Sequence, residues 1–179
     1  ILQQADTGTV FLDEIDQLPP ETQVRLVRLL TEGEIQPLGS PHSYRIDVRV
    51  ITACNNDLMA KVASGTLRED LYYRINVVQL HIPPLRDRIG DIPALARHFL
   101  GRMSNQPGLR SLGITEEALE LLRNYDWPGN VRQLQSALFR AAVLCDRDAL
   151  TPDEFPQIAT AVGRRTEAVS SHKEGAGVS

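Results

Sequence analysis

The chain has 179 residues, 42% of them apolar, and a formal net charge of −4, enough for one or two globular domains with a buried core. The mild acidity gives no electrostatic case for a nucleic-acid or membrane surface, and no apolar run is long enough to span a bilayer. Two cysteines, Cys54 and Cys145, stand far apart without metal-ligand spacing, a pattern that fits a reducing cytoplasm and buried, inert thiols.

No signal peptide opens the chain, and Ile1 is not an initiator residue, so the sequence is expected to begin inside a larger protein. Thr9-Val10-Phe11-Leu12 has strand-forming character and runs straight into Asp13 and Glu14. It reads as a buried strand of a parallel sheet, although a buried helix segment has the same pattern. Ligands of open α/β sheets sit beyond the carboxyl ends of the strands, where these two acids would emerge. One acid there can hold Mg2+ through its waters, and a second can orient or deprotonate an attacking water. This is the form of a Walker B motif. An acidic turn ahead of the next helix is the alternative, since Asp16 follows and Pro19-Pro20 begins a helical pattern.

Pro20 at a first helical position, the apolar residues Val24, Leu26, Val27, Leu29 and Leu30, and Gly33 as a stop predict a helix of about three turns. A short strand over Glu34–Leu38 and a turn at Gly39-Ser40-Pro41-His42 follow. Tyr44–Ala53, with β-branched Val48, Val50 and Ile51, reads as one longer strand ending at Cys54-Asn55-Asn56-Asp57. Helices are expected near Leu58–Ala63 and Arg68–Arg74, and a strand over Asn76–Ile82, which Pro83-Pro84 ends.

Everything beyond is helical. Asp91 is placed to cap a helix whose stripe is Ile92, Leu95, Ala96, Phe99, Leu100 and Met103. Thr115 starts a second, with Ala118, Leu121, Leu122 and Tyr125 inward. Trp127-Pro128-Gly129 makes a turn, and Asn130 with Gln133 has the spacing of a capping box at the start of a third helix reaching about Cys145. Thr151-Pro152 opens a last short one, and from about Ala161 the composition is that of a disordered tail. The class is therefore α/β followed by all-α, the latter a small bundle. His42, His81, His98 and His172 show no paired metal spacing and read as structural or exposed.

Three blocks carry a resemblance. They are Gly8-Thr9-Val10-Phe11-Leu12-Asp13-Glu14-Ile15, Leu67-Arg68-Glu69-Asp70-Leu71-Tyr72-Tyr73-Arg74-Ile75-Asn76-Val77 and Trp127-Pro128-Gly129-Asn130-Val131-Arg132-Gln133-Leu134. Together they closely resemble the AAA+ ATPase domain of bacterial sigma-54-dependent transcription activators, the NtrC type of enhancer-binding protein. The sequence contains no G-x-x-x-x-G-K-[ST] phosphate loop and no Gly-Ala-Phe-Thr-Gly-Ala loop, with which that family grips sigma-54. Both would lie before residue 1. The resemblance thus implies a partial AAA+ P-loop NTPase core with a parallel sheet over residues 1–87, a helical lid over 88–160 and a linker or tail over 161–179. It also implies that the missing phosphate-loop strand belongs between the Val48–Ala53 and Val77–Ile82 strands.

The resemblance further implies roles for individual residues. Asp13 would hold Mg2+ through water and Glu14 would handle the attacking water of ATP hydrolysis. Asn55 would be a sensor of the γ-phosphate or that water, an amide being able to donate and accept at once. An Asx turn at Asn55-Asn56-Asp57 is the plain alternative, and Cys54 stands where the family usually has Thr. Arg68 and Arg74 resemble paired arginine fingers that reach the neighbouring subunit's nucleotide, guanidinium being permanently charged and shaped for phosphate oxygens. A solvated helix face pairing with Glu69 and Asp70 competes, since six residues turn the two arginines roughly 120° apart. Arg132, in a helix's first turn where a cation is disfavoured by the dipole, resembles the lid arginine that contacts the same subunit's phosphates, with Asp126 as an alternative partner. Arg88, in Pro84-Leu85-Arg86-Asp87-Arg88, resembles the hinge beside the adenine.

The function implied is part of a cytoplasmic, ring-forming activator that hydrolyses ATP to remodel the sigma-54 RNA polymerase closed complex. The sigma-54 contact would come through the absent loop, DNA would be bound only through a domain outside this sequence, and no membrane would be involved. The chain alone would be inactive. A non-catalytic AAA+ interaction piece and a different AAA+ branch are the alternatives.

Overall fold

The computed structural model describes residues 2–37 and 39–164, and the chain divides into two compact units between His81 and Ile82. In the first unit, strand β1 (Thr9–Leu12) is followed by helix α1 (Pro20–Glu32), strands β2 (Glu34–Ile35), β3 (Tyr44–Arg45) and β4 (Arg49–Thr52), and helices α2 (Leu58–Ala63) and α3 (Glu69–Ile75). β1 and β4 pair in parallel, Thr9 opposite Arg49 through Leu12 opposite Thr52. β2 and β3 form a separate antiparallel pair. Ile15, Leu26, Leu29, Leu67 and Leu71 make the core between these elements.

α1 follows its sequence signals closely. Pro20 occupies the first turn and Gly33 ends the helix at φ 67°, a left-handed conformation that suits glycine. Its N–H returns to the Leu29 carbonyl at 3.0 Å. The buried face comprises Gln23, Leu26 and Leu29, while Val24 stays exposed.

Two strand expectations are corrected. Tyr44–Ala53 is not one strand: it changes partner partway. Ile46 N–H donates to Gly33 O at 2.8 Å, Asp47 N–H to Asp6 Oδ1 at 2.8 Å, and Thr7 N–H to Asp47 O at 2.6 Å. These bonds take the chain from β2 across to β1, so the run splits into β3 and β4. Asn76–Ile82 is not a strand either. Asn76 closes α3, and residues 79–84 have no regular structure. Val77, Val78, Leu80 and Ile82 are 79%, 77%, 88% and 76% exposed. The alternation suits a strand, but without a neighbour to take its backbone groups no ladder forms. β4 likewise pairs with β1 alone among the described residues, so the two segments have not closed on each other.

The second unit contains α4 (Ile92–Met103), β5 (Gly113–Ile114), α5 (Glu116–Arg123), α6 (Asn130–Leu144), β6 (Ala149–Leu150) and a helix α7 over 156–164. β5 and β6 form a two-residue parallel pair that the sequence does not announce. Its core includes Leu85, Ile92, Phe99, Leu119, Trp127 and Leu134. Thr115 caps α5, its hydroxyl accepting from Ala118 N–H. Thr151 and Glu154 form a capping box at a 3-10 turn over Pro152–Glu154.

Capping departs from expectation twice. Asp91 stands at the N-cap of α4 without accepting a capping bond; a 3-10 turn over Ile89–Asp91 already leads in, and its carboxylate faces Arg88 at 3.6 Å. Asn130 is not a cap. It has φ 51° and its Oδ1 accepts from Leu85 N–H at 2.8 Å, while Gln133 Oε1 takes the Gly129 N–H at 2.9 Å. Trp127, fully buried, donates its indole N–H to Leu122 O at 2.7 Å. α7 carries helix past Ala161 to residue 164. The rest of the expected tail, His172 included, lies outside the described residues.

Candidate functional site

The parallel register sets the site. Ala53 N–H donates to Leu12 O at 2.8 Å and Ile15 N–H to Ala53 O at 3.0 Å, so the strand pairing continues past both strand ends. Asp13-Glu14 and Cys54-Asn55 therefore leave the pair side by side, at its carboxyl end. Glu14 is held at φ 53°, ψ 47°, a left-handed conformation that costs a non-glycine residue about 1–2 kcal/mol. Asp13 Oδ1 accepts the Glu14 N–H at 3.0 Å, which supports that turn. Ile15, fully buried, anchors the chain directly behind it. Both carboxylates and Asn55 are exposed.

Two residues behind this edge were not anticipated. Asp16 is only 6% exposed and accepts from Asn56 Nδ2 at 2.6 Å. The bond ties the turn after Glu14 to the turn that carries Asn55. The Asx alternative is taken up by Asp57 instead, whose Oδ1 accepts Met59 N–H and caps α2. Cys54 is exposed, not buried as expected, because it stands beyond the last strand pair. Partial burial first, and then the carboxylates of Asp16 and Asp57, push its thiol above the usual range.

Arg68 is the N-cap residue of α3 and Arg74 lies in its last turn. Arg68 grips Asp70 with two hydrogen bonds, Nε to Oδ1 at 3.0 Å and Nη2 to Oδ2 at 2.7 Å. The bond from Arg68 holds the Asp70 carboxyl below the usual carboxylate range. In the second unit, Arg132 stands exposed in the first turn of α6 and makes no ion pair among the described residues. The Nε of Arg88 is buried there with no acceptor among the described residues.

A parallel strand pair with acids at its carboxyl end, followed by a helical unit, is the architecture of part of an AAA+ ATPase core and its lid. Residues 1–81 match the Sigma-54 interaction domain and residues 86–172 the AAA+ ATPase lid domain. The chain is 47% identical over 153 residues to the transcriptional regulatory protein ZraR of Escherichia coli (strain K12), covering 86% of this chain and 35% of that protein. It is 46% identical over 151 residues to the Nif-specific regulatory protein of Azotobacter vinelandii, covering 84% and 29%. The crystal structure of NtrX from Brucella abortus is similar with a TM-score of 0.81 at 35% identity, covering 85% of this chain and 36% of that one. NtrX in complex with ATP gives 0.80 at 34%, covering 86% and 36%. The chain belongs to the NtrC-type, sigma-54-dependent transcription activators, as the later part of their AAA+ domain. It spans roughly a third of the length of the relatives it matches.

Proposed function

We propose that this chain supplies the water-handling and sensing part of an ATP site in a cytoplasmic, ring-forming activator. The parent protein's ATP hydrolysis remodels the sigma-54 RNA polymerase closed complex. The observation that carries this reading is the convergence of Glu14, in its left-handed turn, with Asn55 at the carboxyl end of one parallel strand pair. That is where open α/β sheets take ligands.

The residues fit a Mg2+–nucleotide edge. Asp13 gives one lone pair to Glu14 N–H and is otherwise exposed, and no group of three or more metal-binding side chains occurs among the described residues. Magnesium is commonly held by one or two carboxylates, water and substrate phosphates, without an all-protein cage. Asp13 would hold it through water, where it would offset phosphate charge. Glu14 orients the attacking water and accepts its proton, and Asn55 donates to an oxygen while accepting from that water. Arg68 and Arg74 lend positive charge to the nucleotide of the neighbouring subunit. Arg132 contacts phosphate and Arg88 the base side of the same subunit's nucleotide. Sigma-54 and DNA are met through segments outside this sequence.

The reading is tested in the parent by Glu14→Gln. ATP affinity should hold within about threefold while turnover falls by about 100-fold or more, the range over which a positioned acid or base acts. Undiminished turnover would refute it.

A further inference from the structure

Gln23 is the most deeply buried polar side chain described, 1% exposed within the first unit. Its amide makes three bonds. Nε2 donates to Leu18 O at 2.8 Å and to Thr66 O at 2.9 Å, and Oε1 accepts from Arg68 N–H at 2.9 Å. Only this amide orientation works, because the flipped one would set oxygen against two carbonyls. Neither acid nor apolar side chain of this length can replace it, since two donors and an acceptor are needed together.

The three partners are not scattered. Leu18 ends the 3-10 turn that begins directly after Glu14. Thr66 and Arg68 are the backbone on which the finger arginine is mounted. Leu67 between them is buried against the same core. Thr66 and Leu67 donate their N–H groups to Lys61 O at 3.0 and 3.1 Å, Gln23 takes the next donor, Arg68 N–H, and Asp70 holds the guanidinium itself. We propose that Gln23 is a positioning residue: it sets the direction from which Arg68 projects and locks it to the turn that presents Glu14. A subunit's own acid and the arginine it lends to its neighbour are thereby held in one rigid frame. The proposal rests on the reading of Arg68 as a finger acting in trans.

The test uses the full-length parent with Gln23→Met, which keeps length and loses all three bonds. Turnover should fall about 10- to 100-fold, the usual effect of a small misplacement, with KM for ATP unchanged within twofold. Mixed rings give the decisive pattern. Gln23→Met subunits mixed with Glu14→Gln subunits should regain activity, because Glu14 keeps its own supports in the Asp13 Oδ1 bond and buried Ile15, and some interfaces then join an intact acid to an intact finger. Mixed with Arg68→Ala subunits they should not. Recovery with Arg68→Ala instead, or with neither, would overturn the proposal. If Arg68→Ala alone leaves turnover intact, the finger reading fails; if Arg68→Ala abolishes turnover and Gln23→Met does not, only the positioning role fails. Amide exchange in the unsubstituted chain gives a readout independent of how the variant folds. Arg68 N–H should be protected while Glu69 N–H, which has no acceptor among the described residues, exchanges freely. Equal, fast exchange at both would contradict the anchor.

Discussion

Glu14 stores strain where the chemistry is proposed. Its φ of 53° costs about 1–2 kcal/mol for a residue with a Cβ, and glycine would relieve that while losing about 0.5–1 kcal/mol to its greater freedom unfolded. Glu14→Gly should therefore raise stability by about 0.5–1 kcal/mol in denaturant melts, whereas Glu14→Gln, which keeps the strain, should stay within about 0.5 kcal/mol of the original. A destabilised Glu14→Gly would show that the turn is not strained. The arginines separate by what they do to the parent's kinetics. Arg68→Ala and Arg74→Ala should lower kcat by about 1,000-fold with KM moving little, because a charge lent from a neighbour acts chiefly in the transition state. Arg132→Ala should raise KM as well. Equal effects on KM from all three would contradict the division. The placement of Asp13, Glu14 and Asn55 beyond the strand ends was legible, because strand and turn signals are local there, whereas Arg68 pairs with Asp70, the alternative its sequence left open. Gln23 was half legible: it shares the α1 face of Leu26, Val27 and Leu30 at helical spacing, so its burial could be read, but its partners 43 and 45 residues away could not. The Asp16–Asn56 bond joins turns 40 residues apart and left no local signal.

Among the elements, helices were read more accurately than strands, for a physical reason. A helix closes its hydrogen bonds within itself, so α1 could be bounded from Pro20 and Gly33 alone. A strand needs a partner that its own residues do not name. Tyr44–Ala53 looks continuous in composition yet changes partner at Ile46 and Asp47. Asn76–Ile82 alternates correctly and has nothing to pair with. The same fact yields a prediction for β4. Arg49 and Ala53 donate their N–H groups toward β1, and alternation turns those of Val50 and Thr52 to the open edge. Hydrogen exchange should find Val50 and Thr52 poorly protected beside Arg49, and α6 in the second unit protected throughout its middle turns. Strong protection of Val50 and Thr52 would mean that another strand, from a second copy or from Val77–Ile82, has closed the edge.

At the scale of the molecule, each unit buries its own core, that of the first around α1 and α3 and that of the second around α4, α5 and α6. The class, α/β followed by all-α, was legible because the pattern shifts from mixed to purely helical periodicity beyond Pro83-Pro84. What unites the molecule is chemical incompleteness. On the proposed reading it carries acids, an amide and arginines for phosphoryl transfer, while its 179 residues hold no glycine-rich loop to cradle the β- and γ-phosphates, so binding and transition-state stabilisation are both expected to fail in this chain alone. The most direct test is Mg2+-dependent phosphate release from ATP by the purified 179-residue chain, measured beside its Glu14→Gln variant. No release above buffer from either is the predicted result. Turnover by the chain that Glu14→Gln abolishes would contradict it.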